Sequence, residues 1–80
     1  MTTTSLDIMT AIAQHLSVNP DDLDKQALLR EDLGLNPIEL NDLIGFIAAK
    51  FKISFDPQEI QGLKSIEDLI NLTEDGLIDS

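Results

Sequence analysis

Cysteine, tryptophan and tyrosine are absent from this 80-residue sequence, and cations are scarce. Without cysteine there is no disulfide framework, no thiolate metal site and no thiol nucleophile, and a reducing compartment is the expected setting. Five Lys and Arg against fifteen Asp and Glu leave a formal charge of −10. That balance repels phosphate backbones and anionic headgroups, so nucleic acid and acidic membranes are poor partners. Long apolar runs are missing as well: the longest, Leu43 to Ala49, is seven residues, against the roughly 20 needed to span a bilayer. The opening Met1-Thr2-Thr3-Thr4-Ser5 has neither the basic nor the apolar stretch of a secretory signal, which predicts a cytoplasmic protein without a membrane span. A chain this short has room for a single domain, over residues 1–80, and its 42% hydrophobic content suffices to build one core.

What is present is helical periodicity. Residues 5–16 place Leu6, Ile8, Met9, Ile12, Ala13 and Leu16 on one side of a helix, with Thr4 or Ser5 as its cap. Residues 17–36 lack a sustained period, and a connection that long needs anchors; Leu23, Leu28, Leu29, Leu33 and Leu35 are the candidates. The strongest helix is predicted over 37–51, where Leu40, Leu43, Ile44, Ile47 and Phe51 fill an arc of about 100°. Its opposite side carries Ile38, Asp42, Gly45 and Ala49, a face suited to a partner, and Lys50 and Lys52 sit where positive charge complements the helix dipole. A one- or two-turn helix follows from Pro57 to Gln61, ended by Gly62. A last helix runs from Ile66 to about Leu72, with Ser65 and Asp68 as a capping pair; residues 1–4 and 73–80 are expected to fray. All three prolines follow Asn or Asp and precede an acid by two residues (Asn19-Pro20, Asn36-Pro37, Asp56-Pro57; Asp22, Glu39, Glu59), which is helix-start chemistry. With no β alternation of useful length, the fold class is all-α: a small irregular antiparallel four-helix bundle, three longer helices and one short third helix, with a long loop after the first.

Catalytic chemistry finds little support in this composition. His15, at the end of the first helix, has no nucleophile to serve and reads as a surface residue near the negative end of the dipole. Asp21, Asp22 and Asp24 lack the glycine and the terminal bidentate glutamate that a Ca²⁺ loop requires, so no metal site is assigned. Glu31-Asp32, Glu67-Asp68 and Glu74-Asp75 are adjacent in sequence and point in different directions on a helix, which makes none of them an acid/base couple. The chain is read as a non-enzyme with no catalytic residue.

The order of elements, and the stretch Gln26-Ala27-Leu28-Leu29-Arg30-Glu31-Asp32-Leu33-Gly34-Leu35-Asn36-Pro37-Ile38-Glu39-Leu40 above all, resembles the acyl carrier protein family. Asp32-Leu33-Gly34 matches that family's Asp-Leu-Gly outright, and the resemblance extends over almost the whole chain. It implies 4′-phosphopantetheine esterified to the serine of an Asp-Ser-Leu triplet. Here that triplet reads Asn36-Pro37-Ile38, so the position matching the attachment serine is Pro37, which has no hydroxyl and cannot form the phosphodiester. Ser5, Ser17, Ser54, Ser65 and Ser80 all lie away from this helix start. The resemblance further implies partner enzymes that bring basic patches to the second helix: Asn36, Ile38, Glu39 and Asp42 are the matching positions, although Asn36 is neutral and Ala48 and Ala49 stand where the family often has glutamate. The expected function is a monomeric, non-enzymatic, carrier-like module acting by protein contact on a synthase, ligase or transferase of fatty acid, polyketide or nonribosomal peptide assembly. A carrier with a variant attachment site, and a subunit that binds lipid without a covalent bond, are the alternatives.

Overall fold

The structure, a computed structural model, describes residues 5–78. Four α-helices form among the described residues: α1 (Ser5–Leu16), α2 (Pro37–Phe51), α3 (Pro57–Gln61) and α4 (Ile66–Ile78), with a single 3-10 turn at Pro20–Asp22. No strand forms among them, only an isolated bridge between Leu28 and Ser65. The all-α expectation holds.

One aliphatic core joins α1, α2 and α4. Ile8, Ile12, Leu43, Ile47, Ile66 and Leu69 are its fully enclosed side chains, and Phe46, Phe51 and Phe55 pack half-buried against it. The buried positions of α2, Leu40, Leu43, Ile44 and Ile47, recur at the three- and four-residue steps that put side chains on one helix face. Phe51 closes that row but stays half-buried. α3 contributes no buried residue. On α1 the row is shifted from the expected one: Ala11 is buried, while Leu6 is 70% exposed. At the start of α1 the Ser5 hydroxyl donates to Glu74 Oε1 at 3.1 Å, which ties the helix to α4. Ser5 is thus the first helical residue and a link across the bundle rather than a cap; Thr4 lies outside the described residues.

The long connection is held by two devices. Leu23 and Leu29 are buried and Leu33 and Leu35 half-buried, as anchors should be, whereas Leu28 turns outward. The second device is backbone pairing, invisible in hydropathy: Leu29 N–H donates to the Lys64 carbonyl at 2.8 Å, Ile66 N–H to Ala27 at 3.0 Å and Glu67 N–H to Lys25 at 2.9 Å. These bonds satisfy main-chain groups of the loop together with the N–H groups of the first turn of α4, which have no partner within their own helix.

Helix ends follow the sequence closely, with two exceptions. Ser65 and Asp68 cap α4 reciprocally: Asp68 N–H donates to Ser65 Oγ (3.2 Å), and Ser65 N–H to Asp68 Oδ2 (3.2 Å). α1 and α2 both close with a non-glycine residue in the left-handed region, Ser17 (φ 59°) and Lys52 (φ 57°). The next N–H then reaches back five residues, Val18 to Ala13 and Ile53 to Ala48, each at 3.0 Å. Gly62, by contrast, ends α3 at φ −83°, so its glycine freedom is not used. The expectation that residues 73–80 fray is corrected: α4 continues to Ile78. Thr73 is fully buried, and its hydroxyl donates to the Leu69 carbonyl at 2.8 Å, which removes the penalty of burying it. Gly76 lets Ile53 pack on the helix, since a Cβ there would lie 3.2 Å from Ile53 Cδ1. Residues 1–4 and 79–80, also expected to fray, lie outside the described residues.

Candidate docking face at the start of helix α2

The chain arrives at α2 through Asp32-Leu33-Gly34. Asp32 Oδ2 accepts from Leu28 N–H at 2.8 Å, and Leu33, Gly34 and Leu35 donate back to the carbonyls of Leu28, Arg30 and Leu29 at 3.0–3.1 Å. Gly34 sits at φ +69°, a conformation that any side chain would strain. This tight loop delivers Asn36 to the cap of α2. Asn36 Oδ1 accepts from Glu39 N–H at 2.7 Å, and Glu39 Oε1 accepts from Asn36 N–H at 3.1 Å, a reciprocal capping box. Pro37 occupies the first turn, where a missing N–H costs nothing.

Immediately after the cap, Ile38 is 73% exposed, the most exposed large apolar side chain among the described residues. Asp42 lies one turn on, on the same side of the helix, and Gly45 and Ala49 extend that side, all exposed. Nothing lies within 4 Å of a Cβ built at Gly45, so the strip is open and shallow. Asn36, Ile38, Glu39 and Asp42 therefore share the first turns of one helix, but with different freedom. Asn36 and one oxygen of Glu39 are committed to the cap, while Ile38 projects outward.

Hydroxyl groups are elsewhere. Thr10 and Thr73 donate to their own helices, at Leu6 and Leu69, and Ser5 donates to Glu74; Ser65 serves as a cap. Ser17 ends α1 and Ser54 lies between α2 and α3, so the sequence has no Ser or Thr from 18 to 53. The His15 ring stacks on Phe46 with centroids 4.8 Å apart and planes at 26°. Asp21 and Asp22 are in the 3-10 turn and Asp24 Oδ1 accepts from Gln26 N–H. Among the described residues no cluster of three or more His, Cys, Asp or Glu could hold a metal ion.

Two grooves went unseen in the sequence because each is assembled from distant segments. One, of about 430 Å³, runs between the end of α1 and the start of α2; Leu16, Val18, Leu33 and Leu35 supply its apolar surface, with His15 beside them and Glu39 and Asp42 on the α2 side. The other, also about 430 Å³, is walled by Leu28, Leu40, Ile60 and Leu63, with Arg30, Glu31 and Lys64 alongside. The lone signal that pointed toward either was the leucine spacing of the long loop, which marked anchors and not an opening.

The family model for the phosphopantetheine attachment site matches residues 7–73. An acyl carrier protein of Campylobacter fetus subsp. fetus is 30% identical over 71 residues, covering 89% of this chain and 91% of that protein. One from Campylobacter concisus is 28% identical over 68 residues, 85% of this chain and 88% of its own length. Among solved structures, an acyl carrier protein from Thermotoga maritima superposes with a TM-score of 0.74 at 21% identity, covering 90% of this chain and 84% of the other; at that identity the likeness is one of fold.

Proposed function

This chain belongs to the acyl carrier protein family, and we propose that it acts there as a carrier-type module without a covalent arm, docking on biosynthetic enzymes through the start of α2. The observation that carries the reading is the first turn of that helix: Asn36 and Glu39 are closed in a capping box around Pro37, and no Ser or Thr occurs from residue 18 to residue 53. Attachment of 4′-phosphopantetheine requires an oxygen nucleophile for the phosphodiester. A proline ring has none, so these residues do not fit the group.

What the helix start retains is a recognition surface. Burying an exposed isoleucine side chain contributes about 1.5–3 kcal/mol, whereas each exposed charge pair contributes about 0–1 kcal/mol. Ile38 is accordingly the anchor, and Glu39 and Asp42 steer a basic partner toward it. The partner is a synthase, ligase or transferase of fatty acid, polyketide or nonribosomal peptide assembly, met in the cytoplasm by a single copy of this chain that performs no catalysis. No helix among the described residues is long and apolar enough to cross a membrane.

Incubation with coenzyme A and a broad-specificity phosphopantetheinyl transferase, read by intact mass, tests the proposal. The chain should gain no mass. A gain equal to one phosphopantetheine group, or the same group on protein isolated from its own host, overturns it. Pro37→Ser is the companion: a modified variant means that the docking surface still serves a transferase and only the hydroxyl was missing.

The second groove favours a second reading. Arg30 and Lys64, two of only five Lys and Arg in the chain, stand beside the aliphatic wall of Leu28, Leu40, Ile60 and Leu63 and outnumber the one carboxylate there, Glu31. That arrangement suits an acid-headed aliphatic ligand held without a covalent bond. Octanoate titration should move the methyl resonances of Leu40, Ile60 and Leu63; flat shifts remove this reading.

A further inference from the structure

We infer that the groove between the long loop and α3 is a second docking surface, which takes a partner segment carrying an aliphatic residue beside a single carboxylate. The aliphatic side chain lies on Leu28, Leu40, Ile60 and Leu63, and the carboxylate meets Arg30 and Lys64. The inference rests on the second reading above, that an acid-headed aliphatic group fits here, and adds that a protein, not a free fatty acid, bears it.

The backbone brings the two cations together. Leu28 bridges Ser65, and Leu29 N–H donates to the Lys64 carbonyl at 2.8 Å, so Arg30 follows directly on the residue paired with Lys64. Both main chains are held: the Arg30 carbonyl accepts from Gly34 N–H at 3.0 Å, and Lys64 N–H donates to Asp68 Oδ2 at 3.1 Å. Little backbone ordering is then left for binding to impose. Two cations against one carboxylate, Glu31, leave this groove positive on a chain whose formal charge is −10. A purely apolar occupant would cover charged groups without pairing them, and a cationic one would meet like charge. The remainder of so acidic a chain repels acid. The occupant's charge is therefore local: one carboxylate, matched to the groove's excess of one cation.

The openness of the groove decides what bears that carboxylate. Leu40, 6% exposed, is its floor; Leu28 is 36% exposed, Ile60 and Leu63 are half-buried, and α3 contributes no buried residue. Sites for small molecules enclose about 70–90% of the ligand surface, whereas an acyl tail lying on these residues keeps its outer flank in water. A side chain standing on a protein backbone does not, because its own chain and the body behind it cover that flank. About 430 Å³ suits one such side chain together with its neighbour's carboxylate.

The test titrates the full chain, methyl-labelled, with the blocked peptide acetyl-Gly-Leu-Glu-Gly-amide, with the same peptide carrying Gln in place of Glu, and with two free fatty acids, hexanoate and decanoate. The Glu peptide should give saturable shifts at Leu28, Leu40, Ile60 and Leu63 and bind about threefold tighter than the Gln peptide. That advantage should vanish when Arg30→Gln and Lys64→Gln are combined. Decanoate should bind less than about tenfold tighter than hexanoate, since an enclosed tail would gain about fourfold per added methylene. Equal binding of the two peptides, or an advantage that survives the paired substitution, overturns the inference. A gain of about tenfold or more from hexanoate to decanoate makes a fatty acid the occupant and overturns it as well. Shifts with hexanoate but none with the Glu peptide overturn it and leave the second reading standing; flat shifts with all four probes remove both.

Discussion

α2 and α3 begin with the same chemistry and differ in what they show to solvent. Both open on Asx-Pro, both close a capping box with the glutamate three residues after the cap, Asn36 with Glu39 and Asp56 with Glu59, and both place proline in the first turn. Between cap and glutamate, α3 carries Pro57 and Gln58, whereas α2 carries Pro37 and Ile38. Helix initiation therefore accounts for the proline and the glutamate in each case, and accounts equally well for glutamine or isoleucine between them. What it leaves unexplained at α2 is an isoleucine 73% exposed. The polar start of α3 is the internal control that isolates Ile38 as an exposed apolar residue at a capped helix start.

Several measurements can break or sharpen this contrast. The largest expected effect comes from making α2 begin as α3 does. Ile38→Gln should weaken capture of a native partner at least about tenfold, the loss of a central apolar anchor, while moving the urea midpoint by less than about 0.5 kcal/mol in stability because the side chain touches little of the fold. Equal capture by wild type and variant would make the two helix starts functionally alike. Gly34→Ala should cost about 1–2 kcal/mol in urea unfolding, the penalty of a side chain in the left-handed region. Gly62→Ala should cost nothing, because Gly62 is at φ −83° and its new Cβ would make ordinary contacts, 3.6 Å at the closest. Matching losses at the two glycines would mean that the loop before α2 is not held as described.

Cap removal comes next. Asn36→Ala should lower global stability by about 1 kcal/mol, since α2 carries Leu40, Leu43, Ile44 and Ile47 into the core. Asp56→Ala removes the same kind of bond from a five-residue helix with no buried residue. It should therefore appear mainly as faster amide exchange over 57–61, with a smaller shift of the global transition. The smallest effect is Lys52→Gly, which relieves a left-handed non-glycine residue and should raise stability by up to about 1 kcal/mol. A loss there would mean that the Lys52 side chain supports the end of α2.

Some of this was readable one residue at a time. The span of α2, its cap, the short α3 and the Ser65–Asp68 pair all depend on groups within four residues of one another, so the order of side chains was enough to place them. The grooves were not legible, nor was the end of α4. Leu16, Leu33 and Leu35 line one groove together with Glu39 and Asp42 only because two helices and a loop converge, and nothing local in the acidic stretch after Leu72 announces that Thr73 is sealed in the core or that Ile53 rests on Gly76. Leu6 and Leu28 illustrate the converse: hydropathy put them inside, and the folded chain leaves them 70% and 36% exposed.

By itself, the order of amino acids determined the helical class, the start of every helix that follows a proline, and the absence of a hydroxyl at position 37, because each follows from bonds and atoms within a single turn. Only the tertiary structure decided which apolar residues are covered, how far α4 extends and which carboxylates border an open apolar groove, because burial is a property of neighbours brought from elsewhere in the chain.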